Sequence, residues 1–309
     1  MPDSDVMLSI VVPVYNSVKY IEETIISILN IANKINLEVI FQNSCSTDGT
    51  TEIINKYIEK YNFMKHYNEK DRGQSNAINQ GVKRAIGKWV TWLCADDLIL
   101  DDFVAMIQEA EQVEAALVYG DCVLWLQNGS ITPATGTESY RPGLLAKKRL
   151  VIQQPGTCIL RKKWFDLDGV NEKLNWVMDY DLFLRLESAK VKFYRAKRFV
   201  SLARIHHEAK TSSGSVHRLI EYFNIIGRAH LRSISYIRLT PYVVYAFEFI
   251  IKFLESKGYA GTIMVKLFHK VFWKVAQANE QDDITCRFQG GFSVIKYQIS
   301  DIKGKTCYE

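Results

Sequence analysis

The chain has 309 residues, of which 48% are hydrophobic and 24% charged, with a formal net charge of +5. This profile is that of a folded globular protein, and it excludes a disordered or fibrous chain. Charge is unevenly distributed, because residues 191–309 carry 19 basic and 9 acidic side chains whereas the rest is slightly acidic. The C-terminal third therefore predicts either an anionic partner or a solvated basic face.

Alternating apolar and amphipathic segments run through the first hundred residues. They predict strands at 8–15, 37–41, 63–67 and 89–93, and helices at 18–31, 51–61 and 75–85. Strands are also predicted at 115–126 and 153–160, a helix from 179, helices over most of 216–278, and a polar irregular tail with a short strand near 292–299. Strands that alternate with helices predict an α/β fold, a mostly parallel sheet with helices on both faces.

Three polar clusters follow predicted strands, at residues 43–48, at 71–74 and at Asp96–Asp97. Ligands of such sheets bind beyond the carboxyl ends of the strands, so we expect the clusters to form one site. Adjacent carboxylates repel each other unless a cation lies close by, and Mg²⁺ and Mn²⁺ prefer carboxylate and phosphate oxygens. The alternative for Asp96–Asp97 is an N-cap and a first-turn acid, since residues 98–110 have a helical pattern.

Several segments, in order, closely resemble the inverting family 2 glycosyltransferases of the GT-A fold. The resemblance covers roughly residues 8–213. Its motifs are VPVYN at 12–16, STDGT at 46–50, DRGQSNAINQG at 71–81, AIGKWVTWLCADD at 85–97, YGD at 119–121, QPGT at 154–157, MDYDLFLRL at 178–186 and ARIHHEAKT at 203–211. It implies a GT-A domain over residues 1–213, a Rossmann-like α/β fold, and leaves residues 214–309 as a mainly helical, basic C-terminal extension.

The resemblance implies a nucleoside-diphosphate sugar donor (UDP, GDP or dTDP), a glycan or lipid-linked acceptor, and a role in polysaccharide biosynthesis. It assigns a Mn²⁺ or Mg²⁺ cofactor to Asp97 and His206, and the general base to Asp179. Asp181, two residues further on, points in a different direction at the helix start, so we expect it to hold the helix N-terminus. Trp176, three residues before that base, is the candidate for stacking on the acceptor. The donor-binding positions that it implies are Pro13, Tyr15, Asn43, Asp71, Arg72 and Asp96.

Similar transferases usually carry Asp where this chain has Asn43, so the nucleobase stays open. An amide can accept a hydrogen bond from a base and also donate one. A zinc site at His206–His207 would need further ligands that no local spacing supplies. Capping is the structural alternative for Asp179 and Asp181.

Two other functions compete with glycosyl transfer: an inactive nucleotide-sugar-binding partner subunit of a glycan-assembly complex, and a sugar nucleotidyltransferase. The nucleotidyltransferase should have a glycine-rich basic loop after the first strand, and residues 13–16 are not one. A nucleic-acid partner is not expected, because no recognition module accompanies the basic residues.

The location is predicted from cysteine usage and apolar runs. The six cysteines form no C-x-x-C pair, which is typical of a reducing compartment. The N-terminus lacks a signal-peptide pattern, and no run approaches the roughly 20 apolar residues of a membrane span. We expect a cytoplasmic protein, free or peripheral at the inner face of the cell membrane. Residues 261–276 read as a basic amphipathic helix, which either lies on an anionic membrane surface or packs on the protein.

Overall fold

A computed structural model of the chain describes residues 5–134, 137, 139–147, 152–210, 221, 224–225 and 281–306. A nine-stranded sheet forms the centre of the structure. Its strands are β1 (Leu8–Val14), β2 (Leu37–Asn43), β3 (Met64–Asn68), β4 (Trp89–Trp92), β5 (Leu98–Ile99), β6 (Leu117–Leu126), β7 (Ile131–Pro133), β8 (Thr157–Leu160) and β9 (Phe193–Ile205). The helices are α1 (Ile21–Ala32), α2 (Thr50–Lys60), α3 (Gln74–Arg84), α4 (Asp102–Gln112), α5 (Leu144–Lys147), α6 (Arg161–Asp166), α7 (Met178–Ser188) and α8 (Gln281–Thr306), with a 3₁₀ turn at Gln154–Gly156.

The strands are ordered β3-β2-β1-β4-β8-β6-β9-β5, and β7 pairs with β6. The first four run parallel, as the alternating pattern predicts. Strand β8 is antiparallel to both β4 and β6, while β9 is parallel to β6 and antiparallel to β5. The sheet is therefore mixed, with a parallel half built by the first hundred residues.

Strand β1 is buried on both faces, which explains its continuous apolar sequence. Ile10 packs on one face with Ile25 of α1, in a cluster that also includes residues of α2 and α4. Val11 faces the opposite side and packs with Ile78 and Val82 of α3. Helices on both sides thus hold the carboxyl end of β1 at the centre of one sheet edge.

The prediction of an irregular tail with a strand near residues 292–299 is wrong, because this segment lies inside helix α8. Ile295, Ile299 and Ile302 are buried in one cluster with Ile26 of α1 and Trp125 of β6. Their spacing of four and three residues is a helical stripe, and the polar residues between them face outward. Helix α8 therefore belongs to the packed core.

The helical pattern at residues 98–110 also needs correction at its start. Leu98 and Ile99 form strand β5 against Leu202 and Ser201, and the helix begins only at Asp102. Asp96–Asp97 is consequently not the N-terminus of a helix.

Most of residues 214–280, including the basic segment 261–276, lies outside the described residues, so its membrane role stays a prediction. The boundary between residues 213 and 214 likewise stays a prediction. Within the described residues, no helix has both the length and the apolarity that crossing a bilayer requires.

Candidate active site

An open cleft of about 950 Å³ lies beyond the carboxyl ends of β1 and β4. Residues that follow β1, β4 and β9 meet there with the loop that leads into α7. The sequence-predicted site residues in its lining are Pro13, Tyr15, Asp71, Asp96, Asp97, Trp176, Asp179 and His206. Asn43 and Arg72 are not among the residues that line it. The chain thus brings eight of the ten predicted side chains to one cavity.

The acidic pair is held in a tight turn after β4. The Asp97 amide donates to the Cys94 carbonyl at 3.0 Å. The Thr24 hydroxyl of α1 donates towards the carbonyls of Ala95 and Asp97, each 2.9 Å away. Because Thr24 is completely buried, this contact ties the turn to α1 out of reach of solvent.

Asp97 is only 7% exposed, and its Oδ1 accepts a hydrogen bond from the Arg204 amide at 3.0 Å. The Arg204 guanidinium is used elsewhere: it donates to the Asp96 carbonyl and pairs with Glu23. Burial, followed by the charge of Asp96, raises the pKa of Asp97 well above its usual range. In the described part of the chain, no lysine or arginine forms an ion pair with either carboxylate, so a bound cation would relieve their repulsion.

His206 contacts Asp96 rather than Asp97. Its Nε2 lies 3.0 Å from Asp96 Oδ2, and its ring packs against Tyr20 at a centroid distance of 4.6 Å. The imidazole side chain is 10% exposed, and its buried Nδ1 has no hydrogen-bond partner among the described residues. The carboxylates of Asp96 and Asp97 are oxygen donors that suit Mn²⁺ or Mg²⁺, so the residues present fit a divalent cation, with the His206 imidazole beside Asp96.

Asp179 lies in the first turn of α7 and lines the cleft, where its Oδ1 accepts from the Tyr180 amide at 2.8 Å. Asp181, two residues on, points elsewhere and accepts from Arg185 Nε at 2.8 Å. Arg185 also donates to the carbonyls of Leu167 and Gly169. Asp181 therefore links α7 to the preceding loop through Arg185, while it lies in the first turn of the helix.

The loop over residues 170–177 bears Trp176, leads directly to Asp179 in α7, and is held by hydrogen bonds on two sides. On one side Glu172 accepts from Arg72 at 2.6 Å, from Asn76 at 2.9 Å and from Asn79 at 3.2 Å. On the other, the Glu221 carboxylate accepts from the consecutive amides of residues 175 and 176, both at 2.8 Å. Buried asparagines of α3 thus have a structural use, since they hold this loop.

The nucleoside side of the predicted site is only partly assembled in the cleft. Asp71 lines it, and its Oδ1 accepts from the Gly73 amide at 2.8 Å, with Gly73 at a φ of 107°. Arg72 points outward, with 77% of its side chain exposed and its guanidinium on Glu172. Asn43 is fully buried: its Oδ1 accepts from Ser46, and its Nδ2 donates to Thr51 at 2.9 Å. Its amide therefore holds the turn after β2.

Three of the cleft residues that were not predicted as site residues are joined by hydrogen bonds: Cys94, Gln74 and Lys210. Gln74 Nε2 donates to Cys94 Sγ at 3.4 Å, and Lys210 Nζ donates to Gln74 Oε1 at 3.1 Å. Burial lowers the pKa of Lys210, and burial together with the two aspartates raises that of Cys94. The position of Cys94 immediately after a buried strand, two residues before Asp96, was the available signal.

Comparison with known proteins matches the chain to a described family. Residues 9–166, about half of the chain, match the family model described as glycosyl transferase family 2. The chain is 28% identical over 211 residues to the chondroitin synthase of Pasteurella multocida, which covers 67% of this chain. It spans only 21% of that relative's length.

Solved structures share the fold. TarS residues 1–349 of S. aureus, solved with UDP-GlcNAc, has a TM-score of 0.59 at 19% identity and covers 87% of this chain and 79% of its own. The mannosyltransferase PcManGT of Pyrobaculum calidifontis, solved with GDP-Man and Mn²⁺, has a TM-score of 0.59 at 16% identity, covering 99% and 88%. The predicted GT-A α/β fold class is confirmed.

Proposed function

Since the chain belongs to glycosyl transferase family 2, we propose that it moves a sugar from a nucleoside-diphosphate sugar to a glycan or lipid-linked acceptor, with inversion, in polysaccharide assembly. One observation carries this proposal. The Asp96–Asp97–His206 group and Asp179 line the same cleft, at the carboxyl edge of the parallel half of the sheet. The first group offers a place for a charged leaving group, and Asp179 offers a base that faces the same space.

On the donor side, we infer that Asp96, Asp97 and His206 hold the divalent cation, and that Asp71, Pro13 and Tyr15 border the nucleoside. The cation, when bound, would stabilise the negative charge that develops on the departing nucleoside diphosphate. His206 lies beside the cation site because its ring contacts the Asp96 carboxylate directly. Tyr15 is 66% exposed at the rim, where it can close over a flat base.

On the acceptor side, Asp179 accepts the proton of the attacking hydroxyl. Displacement in a single step requires one base on the face opposite the leaving group, and Asp179 is the carboxylate in the lining that α7 contributes. Trp176 offers an apolar ring beside it for the acceptor sugar. The loop that bears Trp176 and leads into α7 is held by Glu172 and Glu221, so Trp176 is positioned beside Asp179 before substrate arrives.

The relatives support the chemical class of the substrates. One solved neighbour was crystallised with UDP-GlcNAc, and the other with GDP-Man and Mn²⁺. UDP-GlcNAc and GDP-Man are both nucleotide sugars. The chondroitin synthase is an enzyme of polysaccharide synthesis.

Thermal stabilisation by donors tests the proposal. The protein is heated with UDP-, GDP- and dTDP-sugars, with and without Mn²⁺ or Mg²⁺. A ligand at 100 times its Kd adds about 2.7 kcal/mol of stability, so one nucleotide class should raise Tm clearly, and only with metal. Asp97→Ala should remove this rise. Glu59→Ala, an exposed acid on α2, should keep it.

Transfer assays then separate the competing functions. An inactive binding subunit would be stabilised by the donor yet release no nucleoside diphosphate when acceptors are supplied. A nucleotidyltransferase would instead consume a nucleoside triphosphate and a sugar phosphate and release pyrophosphate. Either result would refute glycosyl transfer.

A further inference from the structure

Cys94 brings a sulfur atom into the acidic group of the cleft. A ligand atom from each of Cys94, Asp96 and Asp97 lies within 4.8 Å of the others, which is close enough for a single cation to contact all three. Cys94 also belongs to the lining of the cleft. The donor set is therefore not made of oxygen and nitrogen alone.

The hydrogen bonds around Cys94 orient its sulfur as an acceptor. The Lys210 ammonium can only donate, so the Gln74 carbonyl oxygen must face it, at 3.1 Å. The Gln74 amide nitrogen then points at Cys94 Sγ, 3.4 Å away, with its N–H groups. The Gln74 contact therefore fixes the position of the sulfur beside the acidic pair.

Resting on the proposed function, we propose that Cys94 Sγ is a ligand of the divalent cation at this site and biases it towards thiophilic metals. Thiolate ligands favour Co²⁺, Zn²⁺ and Cd²⁺, whereas Mg²⁺ requires hard oxygen ligands and gives up its water reluctantly. The cation site of this chain is thus a mixed sulfur and oxygen centre that prefers thiophilic cations to Mg²⁺.

The chain offers a matched control thiol. Cys45 is half-buried, as Cys94 is, but it follows β2 and is absent from the cleft lining. Cys122 and Cys158 are fully buried in the sheet and stay unchanged in every variant. Cys94→Ser and Cys45→Ser therefore remove one comparable thiol each, inside and outside the site.

The test measures Co²⁺ binding to the reduced, metal-free full chain. Calorimetry gives the affinity, and near-ultraviolet absorption detects the ligand bound to the metal. We expect a thiolate-to-cobalt charge-transfer band in the native chain and in Cys45→Ser, and its loss in Cys94→Ser. The ratio of Cd²⁺ to Mg²⁺ affinity should fall by about tenfold or more in Cys94→Ser and in Cys94→Asp. Cys94→Asp also supplies a second variant in case the serine form folds poorly.

A native chain that binds Co²⁺ without the band, or a Cys94→Ser variant that keeps the band or the affinity ratio, would overturn the inference. Both results leave the proposed function standing, because cation binding persists. Failure of the proposed function has another signature: Asp96→Ala and Asp97→Ala would retain cation binding, or no nucleotide sugar would stabilise the native chain with any metal.

Discussion

Asp179 and Asp181 differ in their surroundings although they lie on the same turn of α7. Side chains two residues apart on a helix point in different directions, so one of them can face the cleft while the other faces the protein. Asp181 is committed to Arg185, and Asp179 borders the cavity. The same substitution should therefore affect turnover at Asp179 and thermal stability at Asp181.

Asp179→Asn should lower kcat by a factor of about 10²–10⁴, because a proton acceptor is lost from the transition state, while the donor still raises Tm. Asp181→Asn should instead weaken the Arg185 pair and lower Tm, with kcat nearly unchanged. Steady-state kinetics and thermal unfolding of both variants check this. Normal turnover in Asp179→Asn would disprove the base assignment.

The sequence could predict the position of a site residue where the order of strands and helices sets that position. It could not do so where the position depends on contacts with particular neighbouring side chains. Asp96, Asp97 and Asp179 follow strands or begin a helix, so their convergence on one edge follows from topology. The burial of Asn43 depends on Ser46 and Thr51 closing over it, which no spacing reveals.

At the scale of elements, the loop before α7 has no regular structure of its own and depends on its fastenings. Hydrogen bonding from Arg72, ahead of that from Asn79 and Asn76, lowers the pKa of Glu172 below its usual 4.5. A carboxyl group whose pKa is lower in the folded state stabilises that state above its unfolded pKa. The contribution disappears as pH falls through the folded value.

Glu172→Gln should therefore lower the free energy of unfolding by about 1 kcal/mol at pH 7, a modest loss because Arg72 is largely exposed. The difference from the native chain should stay constant down to a pH of about 4.5 and shrink at lower pH. Denaturant unfolding between pH 7 and pH 3 measures it, with the exposed Glu59→Gln as the control. A difference that grows with acidification would contradict the assigned sign.

The second contact that holds this loop, from the Glu221 carboxylate, connects the C-terminal part of the chain to the acceptor side. Glu221→Gln leaves one acceptor oxygen for two amides, so residues 175–176 should loosen. We expect acceptor KM to rise about tenfold, corresponding to about 1.4 kcal/mol, while metal-dependent donor stabilisation is unchanged. Hydrogen exchange at the two amides should accelerate. The exposed Asn224→Ala is the control, and an equal loss of donor affinity would contradict a positioning role.

Helices and strands with a clear apolar period could be predicted from the sequence. A very short strand, and a helix whose apolar residues are separated by polar ones, could not. Strand β1 and helix α3 appear within two residues of their predicted bounds. Strand β5 is two residues long and exists only because β9 pairs with it, so the helical pattern of residues 98–110 concealed it. In α8, polar residues separate the isoleucines, and the stripe shows only when Ile295, Ile299 and Ile302 are read together.

For the whole molecule, α8 joins the end of the sequence to its beginning. It packs on α1, whose Thr24 also holds the turn of the acidic pair, so core and site share one helix. The apolar side of α8 meets β5 and β6 in the same cluster. We therefore expect the C-terminal helix to unfold together with the sheet.

Ile299→Ala should lower the free energy of unfolding by about 3 kcal/mol, because it leaves a cavity beside Ile26 and Trp125. The matched control is Tyr297→Ala on the same helix, where the side chain is 72% exposed and the expected change is near zero. If α8 and the sheet form one cooperative unit, calorimetry of Ile299→Ala should show the main transition shifted down by about 6 °C. A separate low-temperature transition that carries the whole effect, with the main peak unmoved, would instead make α8 an independent appendage.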